Sequence, residues 1–152
     1  MEPLVRISGQ HDVTAVARLR ARWGGVEPDP GFEERVAEWL AAEGDRRTIW
    51  LAEVESEPIG MCTVLEYRRM PWPGHSDARW GYIGSMFVRA KWRGQGVGEA
   101  ILRALIDTAE ERGYARLVVR PSAEAMPFYR RAGFVLADGD AGEALLVRSR
   151  TR

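Results

Sequence analysis

The sequence predicts a mixed α/β (α+β) fold in which helices cover both faces of a central sheet. Its 152 residues fit a single domain, and a hydrophobic content of 45% is enough to form a core. Apolar residues recur at helical spacing in several segments, and segments rich in β-formers lie between them. The predicted order of elements is β-α-α-β-β-β-α-β-α-β-β, which is typical of helices packed on a sheet. Residues 1–152 are therefore expected to form one domain.

The N-terminal part of the chain is predicted to form one strand and two helices. The strand covers residues 4–7. The first helix has apolar residues at helical spacing, namely Val13, Val16, Leu19 and Trp23. Asp12 is its predicted N-cap, and Gly24-Gly25 ends it. In the second helix, Asp29-Pro30 is predicted as the cap and the first-turn proline. The apolar face of that helix consists of Phe32, Val36, Trp39 and Leu40.

The pattern then changes from helix to strand. Residues 48–54 and 58–67 are rich in β-formers and are predicted to pair as antiparallel neighbours. Residues 69–79 hold several turn-forming residues and are predicted to be a loop. Residues 80–88 are predicted to form another strand. Two glycines interrupt it, Gly81 and Gly84. Such glycines indicate a bulge or the close approach of another backbone. Three side chains on these elements are expected in the core: Trp39, Trp50 and Cys62.

The C-terminal half is predicted to alternate between helices and strands. A helix follows a glycine-rich turn, and its apolar stripe consists of Val97, Ile101, Leu105 and Ala109. Residues 117–119 are predicted to be a short buried strand. A short helix is predicted over residues 123–131, because Pro127 lacks an N–H and must lie near the first turn. Residues 134–136 and 143–148 are predicted to be the last strands.

Composition and charge exclude several classes of function. The formal net charge is zero, whereas a nucleic-acid-binding domain is expected to carry a basic excess. No apolar run approaches the roughly 18 residues that a membrane span needs, and the N-terminus does not have the pattern of a signal peptide. The single cysteine, Cys62, allows no intrachain disulfide, and two isolated histidines with one cysteine make no metal site. A cytoplasmic protein without nucleic-acid, membrane or metal partners is therefore expected.

The segment from Val88 to Gly98 carries the chemically informative pattern. A predicted strand leads into a turn with glycines at alternate positions, and a helix begins there. The first amides of a helix are free and lie at the positive end of its dipole, and glycine lets a ligand approach the backbone closely. Such a turn is suited to phosphate or pyrophosphate. Three basic residues add positive charge nearby: Arg89, Lys91 and Arg93. The glycine spacing matches neither a Walker loop nor a dinucleotide fingerprint.

Two separate motifs resemble those of one enzyme family. The run Arg93-Gly94-Gln95-Gly96-Val97-Gly98 is similar to the R/Q-x-x-G-x-G/A signature of the GNAT superfamily of acyl-CoA-dependent N-acyltransferases. Further along the chain, Ala125, Phe128-Tyr129 and Gly133-Phe134 resemble that family's A-x-x-F-Y-x-x-x-G-F segment. The order of predicted elements agrees with the family over nearly the whole chain. The resemblance implies a mostly antiparallel central sheet, with helices on both faces and a splayed pair of central strands.

The resemblance also implies roles for individual residues in binding acetyl-CoA. The splayed strand would be Met86-Phe87-Val88, whose free edge pairs with pantetheine in the family. The amide near Val88 would polarise the thioester carbonyl, and the amides from Arg93 to Gly98 would bind the pyrophosphate. Tyr129 matches the tyrosine that often acts as general acid toward the departing thiolate. Ser122 stands where the family often has asparagine, and it either contacts CoA as a weaker substitute or caps the following helix.

The general base is a departure from the family pattern. An amine nucleophile must lose a proton before or during its attack. Many relatives carry a glutamate on the strand before the loop, but here residues 82–86 contain no carboxylate. Glu66, at the end of the neighbouring strand, is one replacement, and Asp77 or His75 in the following loop are others. A chain of water molecules to solvent, without any side-chain base, is the remaining alternative.

The resemblance implies direct transfer of an acetyl group from acetyl-CoA to a primary amine within a ternary complex. The acceptor is expected against residues 23–32, the second helix and the loop 69–79, because specificity commonly resides in such loops. There, Trp23, Trp72 and Trp80 either line the acceptor pocket or merely flank loops. Two other interpretations stay open: an enzyme that uses a longer acyl-CoA, and a catalytically silent CoA-binding module. Homodimers are common in such families, but the sequence does not fix the oligomeric state.

Overall fold

The computed structural model describes residues 2–74, 78–137 and 145–150, apart from the side chain of Ser85. The strands are β1 (Leu4–Ile7), β2 (Arg47–Val54), β3 (Glu57–Arg68), β4 (Arg79–Val88), β5 (Arg116–Val119), β6 (Val135–Leu136) and β7 (Leu146–Ser149). The helices are α1 (Val13–Gly24), α2 (Phe32–Glu43), α3 (Val97–Arg112) and α4 (Met126–Arg131). Within the described residues the strands form one seven-stranded sheet in the order β1-β2-β3-β4-β5-β7-β6.

The sheet is mostly antiparallel, as the sequence predicts. Neighbouring strands pair in antiparallel fashion except β4 and β5, which run parallel. A parallel step requires a crossover connection, and α3 provides it. The predicted order of elements, with a mixed sheet and helices on both faces, is confirmed.

The strands β4 and β5 separate partway along β4. Their pairing runs from Trp80 opposite Arg116 to Ile83 opposite Val119, and it stops there. Residues 84–88 of β4 continue along β3 without a partner on β5. The predicted splay of two central strands is therefore confirmed. Residues 80–83 are termed the paired half of β4 below, and residues 84–88 are termed its open half.

Both glycines of β4 lie where a side chain would not fit. The register between β3 and β4 shifts between Thr63 and Val64, so that Gly84 forms a bulge. A β-carbon at Gly84 would lie 2.8 Å from Oγ1 of Thr63. A β-carbon at Gly81 would lie 2.7 Å from Cδ2 of Leu117. The predicted bulge and the predicted close approach are both confirmed, and the bulge coincides with the point where β4 and β5 separate.

The two faces of the sheet pack against different helices. On one face, α3 and α4 cover the larger buried cluster, which includes Cys62, Val64, Ile101, Leu105, Tyr129 and Phe134. On the other face, α1 and α2 cover a smaller cluster, formed by Val16, Leu19, Ile49, Leu51, Met61 and Phe87. Val88 packs against the larger cluster, so adjacent residues of the open half face opposite sides of the sheet.

Asp12 is the N-cap residue of α1, as predicted, whereas the predicted start of α2 is wrong. Asp12 makes no side-chain cap to α1; its carboxylate pairs instead with Arg6 at 2.8 Å. This pair ties the beginning of α1 to β1. The second helix begins at Phe32 rather than at Asp29-Pro30, because Gly31 precedes it in a left-handed conformation with φ of 84°.

Two further local expectations are also wrong. The last helix begins at Met126, because residues 123–125 form a turn before it. Trp39 is 46% exposed rather than part of the core, and the guanidinium of Arg47 lies 4.9 Å from its ring centroid. A charged group over the ring replaces the burial that its helical spacing predicts. The other two expected core residues, Trp50 and Cys62, are buried.

Two predicted segments extend past the described residues. The last strand, predicted at 143–148, is β7 at Leu146–Ser149, and residues 143–144 lie outside the described part of the chain. In the loop predicted at 69–79, residues 75–77 lie outside it as well. Asp77 and His75, named as alternative bases, therefore stay predictions.

Candidate active site

The open half of β4 presents backbone groups at an unpaired edge. The amide of Arg89 donates to the carbonyl of Ile59, in β3, at 2.8 Å. Because adjacent residues of a strand point their backbone groups in opposite directions, the N–H and C=O of Val88 point away from β3. They face the gap where the described part of β5 has ended. The carbonyl of Val88 accepts a hydrogen bond from Nε of Arg93 at 2.9 Å, which leaves its N–H facing the gap.

The turn between β4 and α3 passes twice through the left-handed region. Gly94 and Gly96 have φ of 75° and 84°, conformations that cost an L-residue roughly 1–2 kcal/mol. A β-carbon at either position would have nothing within 4 Å, so the outside of the turn is open space. Helix α3 begins at Val97, and the carbonyl of Gly96 accepts the amide of Ala100 at 3.0 Å. The amides before Ala100 belong to the first turn and are free to bind an anion.

The basic residues at this turn are unequally available. Arg89 forms an ion pair with Glu57. Lys91 lies over the ring of Trp92, with Nζ 5.6 Å from the ring centroid. Arg93 is held by the strand carbonyl just described. These side chains give the turn a positive field, whereas the backbone amides supply the directed donors.

Tyr129 lies behind the open half, on the face that α3 and α4 cover. It is 4% exposed, and its ring makes edge contacts with Phe128 and Phe134 at centroid distances of 5.0 and 5.5 Å. Burial raises the pKa of the phenol above its ordinary value, so the hydroxyl keeps its proton. Among the residues that the structure describes, no group forms a hydrogen bond with that hydroxyl. Phe128 also lies 3.5 Å from the position of a β-carbon on Gly98, which brings α4 against the start of α3.

Ser122 lies in the turn that precedes α4. Its Oγ accepts a hydrogen bond from the amide of Ala125 at 3.3 Å, and its carbonyl accepts the amides of Ala125 and Met126 at 3.1 Å. This pattern is typical of a residue that caps a turn or helix start. Ser122 thus caps the turn before α4, whereas the N-cap residue of α4 itself is Ala125, and contact of Ser122 with CoA stays a prediction.

The structure does not bring Glu66 together with the other predicted site residues. Glu66 is opposite Gly81 in the paired half of β4. Seven residues separate Gly81 from Val88 along the strand, which is on the order of 20 Å. Glu66 therefore lies at the far end of β4 from the open edge and the glycine turn.

The partners of Glu66 are also unsuited to a base. Its side chain is 6% exposed and pairs with Arg68 at 2.5 Å and with Arg79 at 3.5 Å. Burial alone raises the pKa of Glu66, but hydrogen bonds from Arg68 and Tyr114 and the charge of Arg79 hold it below its usual range. A carboxylate in these surroundings accepts a proton less readily than a free one.

Of the three tryptophans that either line the acceptor pocket or merely flank loops, Trp23 adjoins the open half of β4. Its ring stacks on Phe87 with centroids 5.7 Å apart and planes 15° apart. Trp80 lies in the paired half, in contact with Tyr67 at 5.4 Å and beneath the guanidinium of Arg116 at 4.6 Å. Trp72 is 65% exposed on the loop after β3. The aromatic stack of Trp23 and Phe87 connects the end of α1 to the candidate site.

Two cavities flank the segment between α1 and α2. The larger measures about 1000 Å³ and lies between one side of α1 and residues 25–34. It extends to the end of the sheet, at Glu57, Pro58 and Arg89. The smaller measures about 310 Å³ and is lined by Trp23, Phe32 and part of the same segment. Sequence analysis placed the acceptor against this segment but missed Arg18 and Arg22 on the α1 wall; their four-residue spacing on a helix was the available signal.

Two further findings concern the described residues as a whole. No group of histidine, cysteine, aspartate or glutamate side chains there could hold a metal ion. None of the helices in the same ranges is long and apolar enough to cross a membrane.

The sequence is similar to one protein family and to several proteins of known name. A family model described as Acetyltransferase (GNAT) family matches residues 14–134. A glucosamine 6-phosphate N-acetyltransferase of Trypanosoma brucei brucei is 30% identical over 131 residues, which cover 86% of this chain and 87% of that protein. A probable glucosamine 6-phosphate N-acetyltransferase 2 of Oryza sativa subsp. japonica is 29% identical over 101 residues, which cover 63% of this chain. The chain spans only 58% of the length of that rice relative.

Solved structures show the same fold. A crystal structure from Clostridium acetobutylicum, described as a predicted acetyltransferase with acetyl-CoA, has a TM-score of 0.73 and 21% identity, covering 92% of this chain and 94% of that one. A glucosamine-6-phosphate N-acetyltransferase from Arabidopsis thaliana has a TM-score of 0.72 and 19% identity, covering 93% and 97%. At these identities the likeness concerns the fold alone.

Proposed function

This chain belongs to the acetyltransferase (GNAT) family, and on that premise we propose that it transfers an acetyl group from acetyl-CoA to a primary amine, directly and within a ternary complex. The observation that carries the proposal is the junction of two sets of backbone donors. The open half of β4 runs into the glycine turn at the start of α3, so an N–H at the strand edge and free amides at the helix start lie close in sequence. The first suits a thioester carbonyl and the second suits a pyrophosphate.

The glycine turn fits the diphosphate of CoA. The amides from Gly94 to Gly98 would hold it, because the outside of the turn at Gly94 and Gly96 is open, whereas the amide of Arg93 already donates to the carbonyl of Ala90 at 3.3 Å. The 16-residue helix α3 directs the positive end of its dipole at the same place. The edge at Met86-Phe87-Val88 would hold the pantetheine arm.

Acetyl-CoA, when bound, supplies the acyl group as a thioester, whose thiolate is a good leaving group because a thiol titrates near ~8.5. The N–H of Val88 would donate to the thioester oxygen and stabilise the negative charge that develops there. As the amine nitrogen bonds to the acyl carbon, the carbon–sulfur bond breaks and the amine loses one proton. The balanced products are an amide and free CoA thiol.

Tyr129 would assist the departure of the sulfur as a hydrogen-bond donor. A phenol already titrates near ~10, above a thiol, and burial raises the pKa of Tyr129 further. Complete proton transfer from this phenol to a thiolate is therefore uphill, whereas a hydrogen bond to the developing negative charge is favourable. The absence of a partner for its hydroxyl among the described residues leaves that donor available.

The proton of the amine would leave by way of water. No carboxylate lies on β4, and Glu66 is bound by arginines in the paired half. We therefore propose that no described side chain acts as general base. The rate would then depend on the fraction of the acceptor that is already neutral at the working pH.

The acceptor is proposed to be a small primary amine. Relatives from Trypanosoma brucei brucei and Oryza sativa subsp. japonica are named glucosamine 6-phosphate N-acetyltransferases, which makes an amino sugar phosphate the first compound to test. The cavities beside the α1–α2 segment are of a size that suits metabolites.

The test combines binding with turnover. Calorimetry with acetyl-CoA measures cofactor binding by the purified chain, and thiol release with a panel of amines measures transfer. We expect saturable binding and amine-dependent thiol release, with the acetylated amine identified by mass spectrometry. Propionyl-CoA and butyryl-CoA in the same assay determine the preferred acyl length. Binding of acetyl-CoA without turnover of any amine would refute the enzymatic proposal, and lack of binding would refute it altogether.

A further inference from the structure

The larger cavity beside α1 contains charged groups that the proposed reaction does not use. Its volume of about 1000 Å³ lies at the upper end of the ~300–1,000 Å³ range of small-molecule sites. One wall is the side of α1, and the facing wall is the segment 25–34, which runs back along that helix. Both walls carry charged side chains, some of which have partners and some of which do not.

Several of the lining charges are already engaged. The engaged groups are Arg89 with Glu57, Glu33 with the hydroxyl of Thr14, and Asp29 with Arg35. These contacts link the cavity walls to one another and to the sheet. They contribute to the shape of the cavity rather than to its capacity for a charged ligand.

Four other charged side chains line the cavity, with the positive ones on one wall and the negative ones on the other. Arg18 and Arg22 lie on the α1 wall, and Glu27 and Glu34 lie on the facing wall. Within the described ranges, none of these four side chains has an ion-pair or hydrogen-bond partner. Arg18 and Arg22 are one helical turn apart on the same face, so their like charges repel each other. An anion between them would remove that repulsion and gain two charge-assisted hydrogen bonds.

The position of this charge pattern relates it to the open half of β4. Trp23 follows Arg22 directly and stacks on Phe87. Glu27 lines both cavities, including the one that Trp23 lines. Arg18 lies five residues before Trp23, which is about 7.5 Å along the helix axis. Glu27 is thus shared by the two cavities near Trp23, and Arg18 lies further from Trp23 along α1.

We propose that this cavity binds the amine acceptor and that the acceptor carries a phosphate or carboxylate group, which Arg18 and Arg22 hold. The inference rests on the proposed function, because it names the class of acceptor for that reaction. Guanidinium groups bind phosphate and carboxylate in bidentate fashion. Glu27 attracts the ammonium form of the same molecule, so that the acceptor enters with its amine toward β4 and its anion along α1.

The test uses pairs of amines that differ by one anionic group. The pairs are glucosamine with glucosamine 6-phosphate, ethanolamine with phosphoethanolamine, and cadaverine with lysine. In the pairs that turn over, we expect the anionic member to have the higher kcat/KM, by about 10-fold or more, as expected for one charge-assisted hydrogen bond. Equal or better turnover of the member without the anion in every pair would overturn the inference. The phosphate and carboxylate pairs distinguish the two anions.

Variants assign the effect to residues. Arg18→Gln, Arg22→Gln and the double variant should raise KM for the anionic amine by roughly 10–100-fold. They should leave KM for acetyl-CoA and for the amine without the anionic group unchanged. Arg103→Gln removes a charge from an exposed position on α3 and serves as the control. Because all three arginines are exposed, the variants should fold, which thermal denaturation verifies.

The remaining outcomes are also decisive. A rise in KM for acetyl-CoA with no change for the anionic amine would assign the arginines to the cofactor and overturn the inference. An equal loss for both members of a pair would do so as well. If no amine supports thiol release, the proposed function itself fails. If amines turn over without an anion preference, only the present inference fails.

Discussion

The two halves of β4 differ in what their backbone and side chains have left unpaired. In the paired half, residues 80–83 hydrogen bond to strands on both sides. In the open half, residues 84–88 hydrogen bond to β3 alone, and a side chain from the turn reaches the outer carbonyl of Val88. The same strand is thus a closed structural element at one end and an exposed row of donors and acceptors at the other.

The paired half is reinforced by a network of polar side chains. Glu66 pairs with Arg68 and Arg79, and Nη2 of Arg79 donates to the carbonyl of Arg112 at 2.5 Å. Nη1 of Arg112 in turn donates to Oγ1 of Thr48 at 2.8 Å. The network links β3, β4, the end of α3 and β2.

The difference teaches where binding capacity is located in this fold. Polar groups that are satisfied by neighbours stabilise the chain, and polar groups that are left free near a helix start bind ligands. The bulge at Gly84 marks the boundary between the paired half and the open half of β4. Changes on the open side should therefore alter affinity and rate, and changes on the paired side should alter stability.

Gly96→Ala tests the turn that follows the open half of β4, and its effect on acetyl-CoA binding should be the largest of the effects predicted. Its methyl group would occupy the open space outside the turn, and its φ of 84° disfavours any side chain. We expect the Kd for acetyl-CoA to rise by roughly 10–100-fold, the equivalent of losing one charge-assisted hydrogen bond, as measured by calorimetry.

The matched control for that variant is Gly113→Ala at the other end of α3. Gly113 also lies in the left-handed region, with φ of 74°, so both variants carry a similar strain of about 1–2 kcal/mol. Only one of them touches the turn. If both variants bound acetyl-CoA equally well, the turn would not be the diphosphate site.

Glu66→Gln tests the paired side. Removal of the buried charge deprives Arg68 and Arg79 of the carboxylate they share, although both arginines are partly exposed and keep contacts with Asp45 and the carbonyl of Arg112. We expect a loss of about 1–2 kcal/mol in the free energy of unfolding at neutral pH, measured by denaturant titration. Glu111→Gln, at an exposed position on α3, is the control and should have little effect.

The pH dependence of that loss follows from the lowered pKa of Glu66. A carboxyl whose folded-state pKa lies below its unfolded value stabilises the fold above the unfolded value and loses that contribution as pH falls through the folded value. The difference between wild type and Glu66→Gln should therefore be constant near neutrality and shrink below about pH 4.5. The kcat profile above pH 6 should keep its shape. Loss of an ionisation from that profile in the variant would show instead that Glu66 is the base.

Tyr129→Phe tests the donor behind the open side. It should lower kcat by roughly 10-fold, the value of one hydrogen bond to a developing negative charge, and leave KM for acetyl-CoA nearly unchanged. Since burial raises the pKa of Tyr129, the wild-type rate should show no loss through its ionisation up to about pH 10. The hydroxyl has no partner in the described part of the chain, so the variant should be at least as stable as wild type. Unchanged kcat across the pH series would remove Tyr129 from the mechanism; Tyr67→Phe, on an exposed ring, is the control.

Features that depend on short stretches of sequence were predictable. The spacing of Val97, Ile101 and Leu105 indicates α3, and the glycines at 94 and 96 indicate a turn that L-residues avoid. Gly81 and Gly84 were recognised because a strand interior rarely accepts glycine without a steric reason. In each case the physical demand acts on the residue itself or on its close neighbours in the chain.

Features that depend on distant partners were not predictable. Trp39 is exposed, with the guanidinium of Arg47 over its ring, and no pattern within α2 reveals that partner. The place of Glu66 in an arginine network follows from the register of β3 against β4. Arg18 lines the same cavity as residues 25–34, because that segment runs back along α1. Sequence located the glycine turn well and the cavity beside α1 only by region.

Ser122→Ala should give the smallest effect. It tests whether the cofactor site extends across the gap to Ser122. Ser122 follows the end of β5 by three residues, and its hydroxyl accepts the amide of Ala125 at 3.3 Å in an exposed position. A pure cap of this kind contributes about 0.5 kcal/mol, so the variant should unfold slightly more easily with KM for acetyl-CoA unchanged. Ser122→Asn restores a capping side chain and also introduces the longer amide. If Ser122 contacts CoA, KM for acetyl-CoA should rise in the alanine variant and fall in the asparagine variant, whereas a cap predicts the same KM in all three proteins.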